Sequence, residues 1–252
     1  MKGEATVNEI LKMEQLSFRY EGSAEGEHVL DALTLSIGAG ARVGLVGCNG
    51  VGKSTLLKLL VGILPMQEGQ LSLCGLPMER KNLADIRKKV GYIFQDSDSQ
   101  LFMPTVGADV AFAAENYGYP PEEVAARTRR ALAQVQMEGL ADRPIYRLSG
   151  GQKKLASIAG ILTLEPELIL MDEPSAALDP RNRRNLIRIL NELPSAKLIA
   201  SHDLDFIYDT CDRVLLLHEG RLAADGAARD ILRDAALLDR CELELPLRFQ
   251  KV

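Results

Sequence analysis

Nine residues, "GCNGVGKST" at 47–55, restrict what this chain can fold into more than any other stretch of it. From Gly47 to Ser54 they fit the spacing G-x-x-x-x-G-K-[ST], with an apolar run, "ARVGLV", before them and a helical pattern, "KSTLLKLLVGIL", from Lys53 onward. A strand, a glycine-rich turn and a helix in that order form a phosphate cradle. Glycines let successive N–H groups face an anion with no Cβ in the way, and the helix N-terminus adds positive potential. Lys53 is placed to reach β and γ oxygens and Ser54 to ligate magnesium, with Asn49, Gly50, Gly52 and Thr55 completing the loop. The plain alternative is a glycine-rich turn that binds nothing; the flanking strand and helix argue against it. Cys48 lies inside the loop near a helix N-terminus, where thiolates are favoured. It reads first as a spacer, and second as a thiol whose alkylation MgATP would block.

The chain has 252 residues, enough for a full core, and one phosphate loop with no internal repeat makes it a single α/β unit, 1–252. A net charge of −5 and a pI near 5.4 exclude the basic field on which non-specific nucleic-acid binding depends. Apolar stretches such as "LASIAGILTL" fall well short of the roughly 18 to 20 residues of a membrane span. "MKGEATVNEI" has no signal-peptide core, so a cytosolic chain is expected. The four cysteines, 48, 74, 211 and 241, are too far apart for zinc or redox spacing, which favours reduced thiols.

Alternation in "MEQLSFRY" and "VLDALTLSI" predicts an antiparallel strand pair joined by the polar turn "EGSAEGEH". "ARVGLVG", "ELILMD", "AKLIAS" and "DRVLLLH" are short apolar runs, three of them followed by helical patterns, as buried parallel strands are. Between "VGYIFQ" and "ELILMD" the pattern is mostly helical, including "PPEEVAARTRRALAQVQMEG", opened by two prolines and closed by Gly139. The expected division is a nucleotide-binding core over 1–95 and 165–225, a helical subdomain over 96–164 and a tail over 226–252.

"LILMDEP" drives a strand outwards to two adjacent carboxylates at the carboxyl end of a sheet, where ligands of open α/β folds bind. Asp172 is expected to hold the magnesium shell and Glu173 to activate the attacking water. "LIASHD" repeats the arrangement: His202 stands at a strand end on the same rim, placed for a γ-phosphate contact, although a lone histidine is more often structural. His28 and His218 have no such placement. Gln95 ends "VGYIF" where the helical insert begins, and reads either as a polar loop residue or as a hinge whose amide senses metal or phosphate. Tyr20 could stack on an adenine or simply pack. A second anion-attracting helix start lies in "LSGGQ", 148–152, which precedes "KKLASIAGILTL".

The phosphate loop, "LSGGQ", "LILMDEP", "SAALD" at 175–179 and "ASHD", in this order, resemble the ATP-binding cassette (ABC) ATPases over nearly the whole chain. The resemblance implies a P-loop ATPase core with an antiparallel β subdomain and a helical signature subdomain, taking ATP and Mg2+. It implies Tyr20 as the adenine-stacking aromatic, Gln95 as the Q-loop glutamine at the metal, Ser149, Gly150, Gly151 and Gln152 as signature contacts to ATP, Asp179 as the D-loop aspartate and His202 as the switch histidine. It further implies a head-to-tail pair, homodimer or related cassette, in which each signature helix caps the ATP in the other's loop. Acidic residues after Gln95, then "QLF" and "TV", look like the ATPases of energy-coupling-factor importers, and the terminal "LELPL" is similar to their nickel and cobalt branch, called CbiO-like. The expected role is ATP hydrolysis for cobalt or nickel uptake, peripheral on the cytoplasmic side of the membrane. Integral-membrane subunits would dock near Phe102 to Val110, unless Leu101, Phe102 and Met103 are simply core. A vitamin importer and a soluble non-transport ABC ATPase are the alternatives. Two departures stand out: Leu155 where the family usually has arginine, and no long extension after "LELPLRFQKV".

Overall fold

The computed structural model describes residues 9–22 and 27–250, so the predicted turn at 21–28 falls partly outside the described residues. Two sheets form. Strands β1 (Glu9–Phe18) and β2 (Leu30–Gly38) pair antiparallel, as their alternation predicts. Then come β3 (Arg42–Val46), helix α1 (Lys53–Leu60), and strands β4 (Glu68–Leu73) and β5 (Leu76–Pro77), which join the first pair in the order β2-β1-β4-β5. Helix α2 (Leu83–Lys89) leads into β6 (Val90–Ile93). Three longer helices follow, α3 (Val106–Asn116), α4 (Pro121–Gln134) and α5 (Gly150–Leu162). The chain returns to alternation with β7 (Leu168–Asp172), α6 (Pro180–Glu192), β8 (Ala196–Ala200), α7 (Leu204–Thr210) and β9 (Arg213–His218). Strand β10 (Arg221–Ala227) and the short helices α8 (Ala228–Ile231) and α9 (Ala235–Arg240) close it.

The second sheet runs β10-β9-β3-β8-β7-β6, parallel except for β10. Its parallel strands are mostly apolar because both faces are covered. In β7, Leu168 and Leu170 face a core shared with α1 and the antiparallel sheet, while Ile169 and Met171 face a core shared with α5, α6 and α7. The order places the phosphate-loop strand β3 between β9 and β8, with β7 next. The carboxyl ends of β3, β7 and β8 therefore open on one rim, where a ligand of a parallel sheet sits.

One local expectation changes. Helix α4 starts at the prolines but stops at Gln134, five residues before Gly139, because Gln136 takes a left-handed conformation, φ 61°, which ends the helical path. The run "DRVLLLH" leads into a hairpin with β10, turned by Glu219 and Gly220 at φ 47° and 74°. Leu155, the departure at the arginine position, is buried in the core beside the sheet. The tail folds back on α7: Arg248 Nε donates to Asp205 at 2.6 Å, Arg248 Nη1 meets Asp209 at 2.7 Å, and Phe249 meets Tyr208 edge-on.

Candidate functional site

The phosphate loop is built as its sequence requires. Gly52 sits at φ 109°, and a Cβ there would lie 2.7 Å from Leu30 Cδ2 and 2.9 Å from the Val29 carbonyl, so only glycine lets the loop close against β2. At Gly50, φ 82°, the space is open. Lys53 begins α1 and turns back into the loop, its Nζ donating to the carbonyls of Gly47 at 2.7 Å and Cys48 at 3.0 Å. The Ser54 hydroxyl donates to Asp172 Oδ1 at 3.0 Å, which brings the end of β7 against the loop. The cleft between them measures about 420 Å3 and is lined by loop residues 49–50 and 52–55 together with Gln95, Glu173 and His202. Three residues from distant segments thus converge on one cradle, Glu173 and His202 as their strand-end positions predict, and Gln95 from the loop after β6.

Glu173 takes a left-handed backbone conformation, φ 45°, on leaving β7, strain that a non-glycine residue holds only where its surroundings fix it. Here they do. Its N–H donates to the Ala200 carbonyl at 2.9 Å, Oε2 accepts from the Ser201 hydroxyl at 2.9 Å, and Oε1 accepts from the His202 backbone N–H at 3.0 Å. His202 Nδ1 lies 2.9 Å from the same Oε1, while most of its ring is exposed to the cleft. The histidine holds its position because Asp203 caps α7 through the Phe206 N–H at 2.8 Å and is gripped by Arg183 from α6, Nε at 3.0 Å and Nη2 at 3.1 Å.

Burial sets the electrostatics. It lifts the Asp172 carboxyl above its usual range, with the neighbouring Glu173 charge adding to the effect and Ser54, Lys58 and Lys53 opposing it. It lowers the Lys53 ammonium, against the pull of Glu173, Cys48 and Asp172. Burial first, and Asp172 second, push the Tyr92 hydroxyl up. A hydroxyl and a carboxylate in contact are the hard oxygen pair that suits Mg2+. A lysine folded into a loop of free N–H groups suits phosphate oxygens. The residues present therefore fit a nucleoside triphosphate with its cation.

Other predicted residues stand apart from the cleft. Tyr20 is 42% exposed, edge-on to Phe18, and its hydroxyl lies 3.0 Å from Thr55 Oγ1, so it flanks the loop and leaves a ring face to solvent. Ser149 caps α5: its Oγ accepts from Gln152 N–H at 3.3 Å while Gln152 Oε1 accepts from Ser149 N–H at 3.0 Å. That box spends both polar side chains locally and leaves the Gly150 and Gly151 N–H groups at the head of the helix. Neither these residues nor Asp179 lines the cleft of their own chain. Asp179 caps α6 through Arg181 and Asn182, whose N–H bonds hold its carboxyl below the usual range. Asn182 in turn occupies the place a Cβ on Gly151 would take, 2.5 Å from its Cγ.

Sequence reasoning missed Ser201, Tyr92, Arg183 and Asn182. Ser201 adjoins His202 in "ASHD", but no periodicity says that its hydroxyl turns toward Glu173 at the end of the neighbouring strand β7.

A cradle, a cation-binding oxygen pair and a strained carboxylate on the rim of one parallel sheet leave a single class: this is a P-loop nucleoside triphosphatase. Within that class the sequence matches the ABC transporter family over residues 30–176. The chain belongs to that family; it is an ATPase that takes ATP with Mg2+. A Gloeobacter violaceus protein provisionally named an ABC transporter ATP-binding protein is 46% identical over 241 residues, 95% of this chain and 98% of that one. The energy-coupling factor transporter ATP-binding protein EcfA of Methanocaldococcus jannaschii is 38% identical over 242 residues, 94% of this chain and 86% of that one. Among solved structures, cbiO1 of Clostridium perfringens, part of the ABC transporter complex cbiONQ, is similar with a TM-score of 0.83 at 36% identity, covering 95% of this chain and 96% of that one. No helix among the described residues is long and apolar enough to cross a membrane.

Proposed function

We propose that this chain is the ATPase subunit of an energy-coupling-factor importer whose cargo is cobalt or nickel, and that it works as a head-to-tail pair beneath integral-membrane partners. The observation that carries the importer type is the likeness to EcfA and to cbiO1 over more than nine-tenths of this chain. The "LELPL" tail supports the metal branch over the vitamin branch.

In this reading Lys53 and the loop N–H groups grip the phosphates, while Ser54, Asp172 and Gln95 surround the cation, which neutralises charge on the β and γ oxygens when bound. Glu173 takes the proton of the attacking water, and His202, released from Oε1, turns its exposed ring to the γ-phosphate. Gly150 and Gly151, at the head of α5, do not line the cleft of their own chain, which supports a partner's nucleotide as the target of their N–H groups, with Asp179 beside it. Residues 96–164 act as the helical unit, and the tail is strapped to α7 through Arg248 and Phe249. The docking face narrows from the expected 102–110: Leu101, Val106 and Val110 are buried, whereas Phe102 is 65% exposed and stacks edge-on with Phe112 beside a shallow groove. An exposed aromatic pair there suits an apolar partner.

The test is to recover the chain with its membrane partners from solubilised membranes, reconstitute the complex in vesicles and measure ATP-driven uptake of Co2+ and Ni2+ against vitamins. Uptake of a vitamin alone would remove the metal assignment, and the absence of any membrane partner would remove the importer.

A further inference from the structure

Lys154 has no place in the site as described, yet it is 3% exposed in the middle of the interface between α5 and the core. Burying an ammonium is costly unless its donors are met. No carboxylate pairs with it among the described residues; its Nζ donates instead to two consecutive backbone carbonyls, Phe94 and Gln95, each at 2.9 Å. These carbonyls flank the peptide that aims the Gln95 side chain into the cleft. Re-aiming Gln95 therefore means moving Lys154 or breaking both of its bonds.

The surroundings make that link a mechanical one. Gly91 on β6 has no room for a Cβ, because Ile161 of α5 would lie 2.6 Å from it. Ile161 is seven residues beyond Lys154, two helical turns or about 10 Å along the axis. Helix α5 thus meets β6 in a close-packed contact near its end and the loop after β6 through a polar tether near its start, with Leu155, Ile158 and Ala159 buried in the core between them. Beside the tether, Lys153 pairs with Asp98, and Gln100 Oε1 accepts from the Phe94 N–H at 3.2 Å, so the stem of this loop is held by side chains throughout. The tether lies one turn from the signature glycines.

We infer that Lys154 is a positioning residue that makes the signature helix follow the Q-loop, so that nucleotide contact at Gln95 re-aims Gly150 and Gly151. The inference rests on the proposed site. Its test compares wild type, Lys154→Met and Lys154→Arg in the full chain by hydrogen exchange with and without MgATP, together with steady-state ATPase kinetics. In the wild type, MgATP alters protection both at residues 94–100 and along α5. In Lys154→Met the loop still responds, α5 does not, and kcat falls about tenfold with KM unchanged. Lys154→Arg, which keeps cationic N–H donors, restores the coupled response; it also carries the test should the Met variant fail to fold. An α5 that still follows nucleotide in Lys154→Met, with wild-type kcat, overturns the tether. A wild type in which MgATP changes nothing at Lys53 and its loop overturns the site reading beneath it instead.

Discussion

The carboxylate of Glu173 is met by three groups, the Ser201 hydroxyl, the His202 N–H and His202 Nδ1, and all of them come from the segment 201–202 just past β8. Its chemistry is therefore a property of Ser201 and His202 as much as of its own position. Glu173→Gln keeps the shape and removes the base. It should bind MgATP with wild-type affinity, lose a hundredfold or more in kcat and accumulate as an ATP-bound dimer, as read by light scattering. Ser201→Ala leaves the carboxylate ionisable but frees Oε2 to rotate. Losing one charge-assisted hydrogen bond is worth about 1.5 kcal/mol, so kcat should fall about tenfold while KM for ATP stays unchanged. A rise in KM with kcat intact would show that Ser201 shapes the binding cleft and not the base.

At the scale of elements, two of the three loop glycines, Gly50 and Gly52, separate conformational need from steric need. Both have positive φ, but only Gly52 is enclosed, with Leu30 and Val29 where a Cβ would go. Gly52→Ala should push the loop off β2 and abolish nucleotide binding in a titration calorimeter, whereas Gly50→Ala should weaken it by no more than about tenfold through strain alone. The contrast also shows what a sequence can convey. The loop, the strand ends carrying Asp172, Glu173 and His202, and the helix start at "LSGGQ" were legible because each is a local pattern with a local cause: spacing, alternation or a helix start. Strands β4 and β5 were not, since β4 pairs with β1, more than fifty residues back, β5 pairs in turn with β4, and "EGQLSLCGLP" carries little apolar signal of its own. Nor was it legible that Leu101 turns inward and Phe102 outward, because that depends on how α3 meets α5. The same holds for Lys154, Ser201 and Arg183, whose partners lie on other elements.

Across the whole molecule, charge burial is split between two ends of the parallel sheet. The carboxyl ends hold the nucleotide cleft, and the amino ends bury Lys197 of β8, 1% exposed, whose Nζ donates to the carbonyls of Leu193 at 2.6 Å and Ser195 at 2.8 Å just past α6. Burial lowers this ammonium to about 8, with Arg42 adding to the effect and Cys211 and Asp212 opposing it. The unfolded chain keeps its proton up to the ordinary lysine range near 10.5, so between the two values it binds more protons than the folded chain. The contribution of Lys197 to stability must then rise with pH from about 8 toward 10.5, and be least favourable below 8, where the folded state carries the charge. Lys197→Met removes the titration while keeping most of the volume. Urea unfolding at pH 7.5 and pH 9.5 should show wild type gaining more with pH than the variant, by on the order of 1 to 2 kcal/mol. Because Lys197 lies at the opposite end of the sheet from the phosphate loop, the pH profile of ATP hydrolysis below the unfolding range should be the same in both proteins. A variant whose stability still climbs as steeply as wild type would place the buried proton elsewhere.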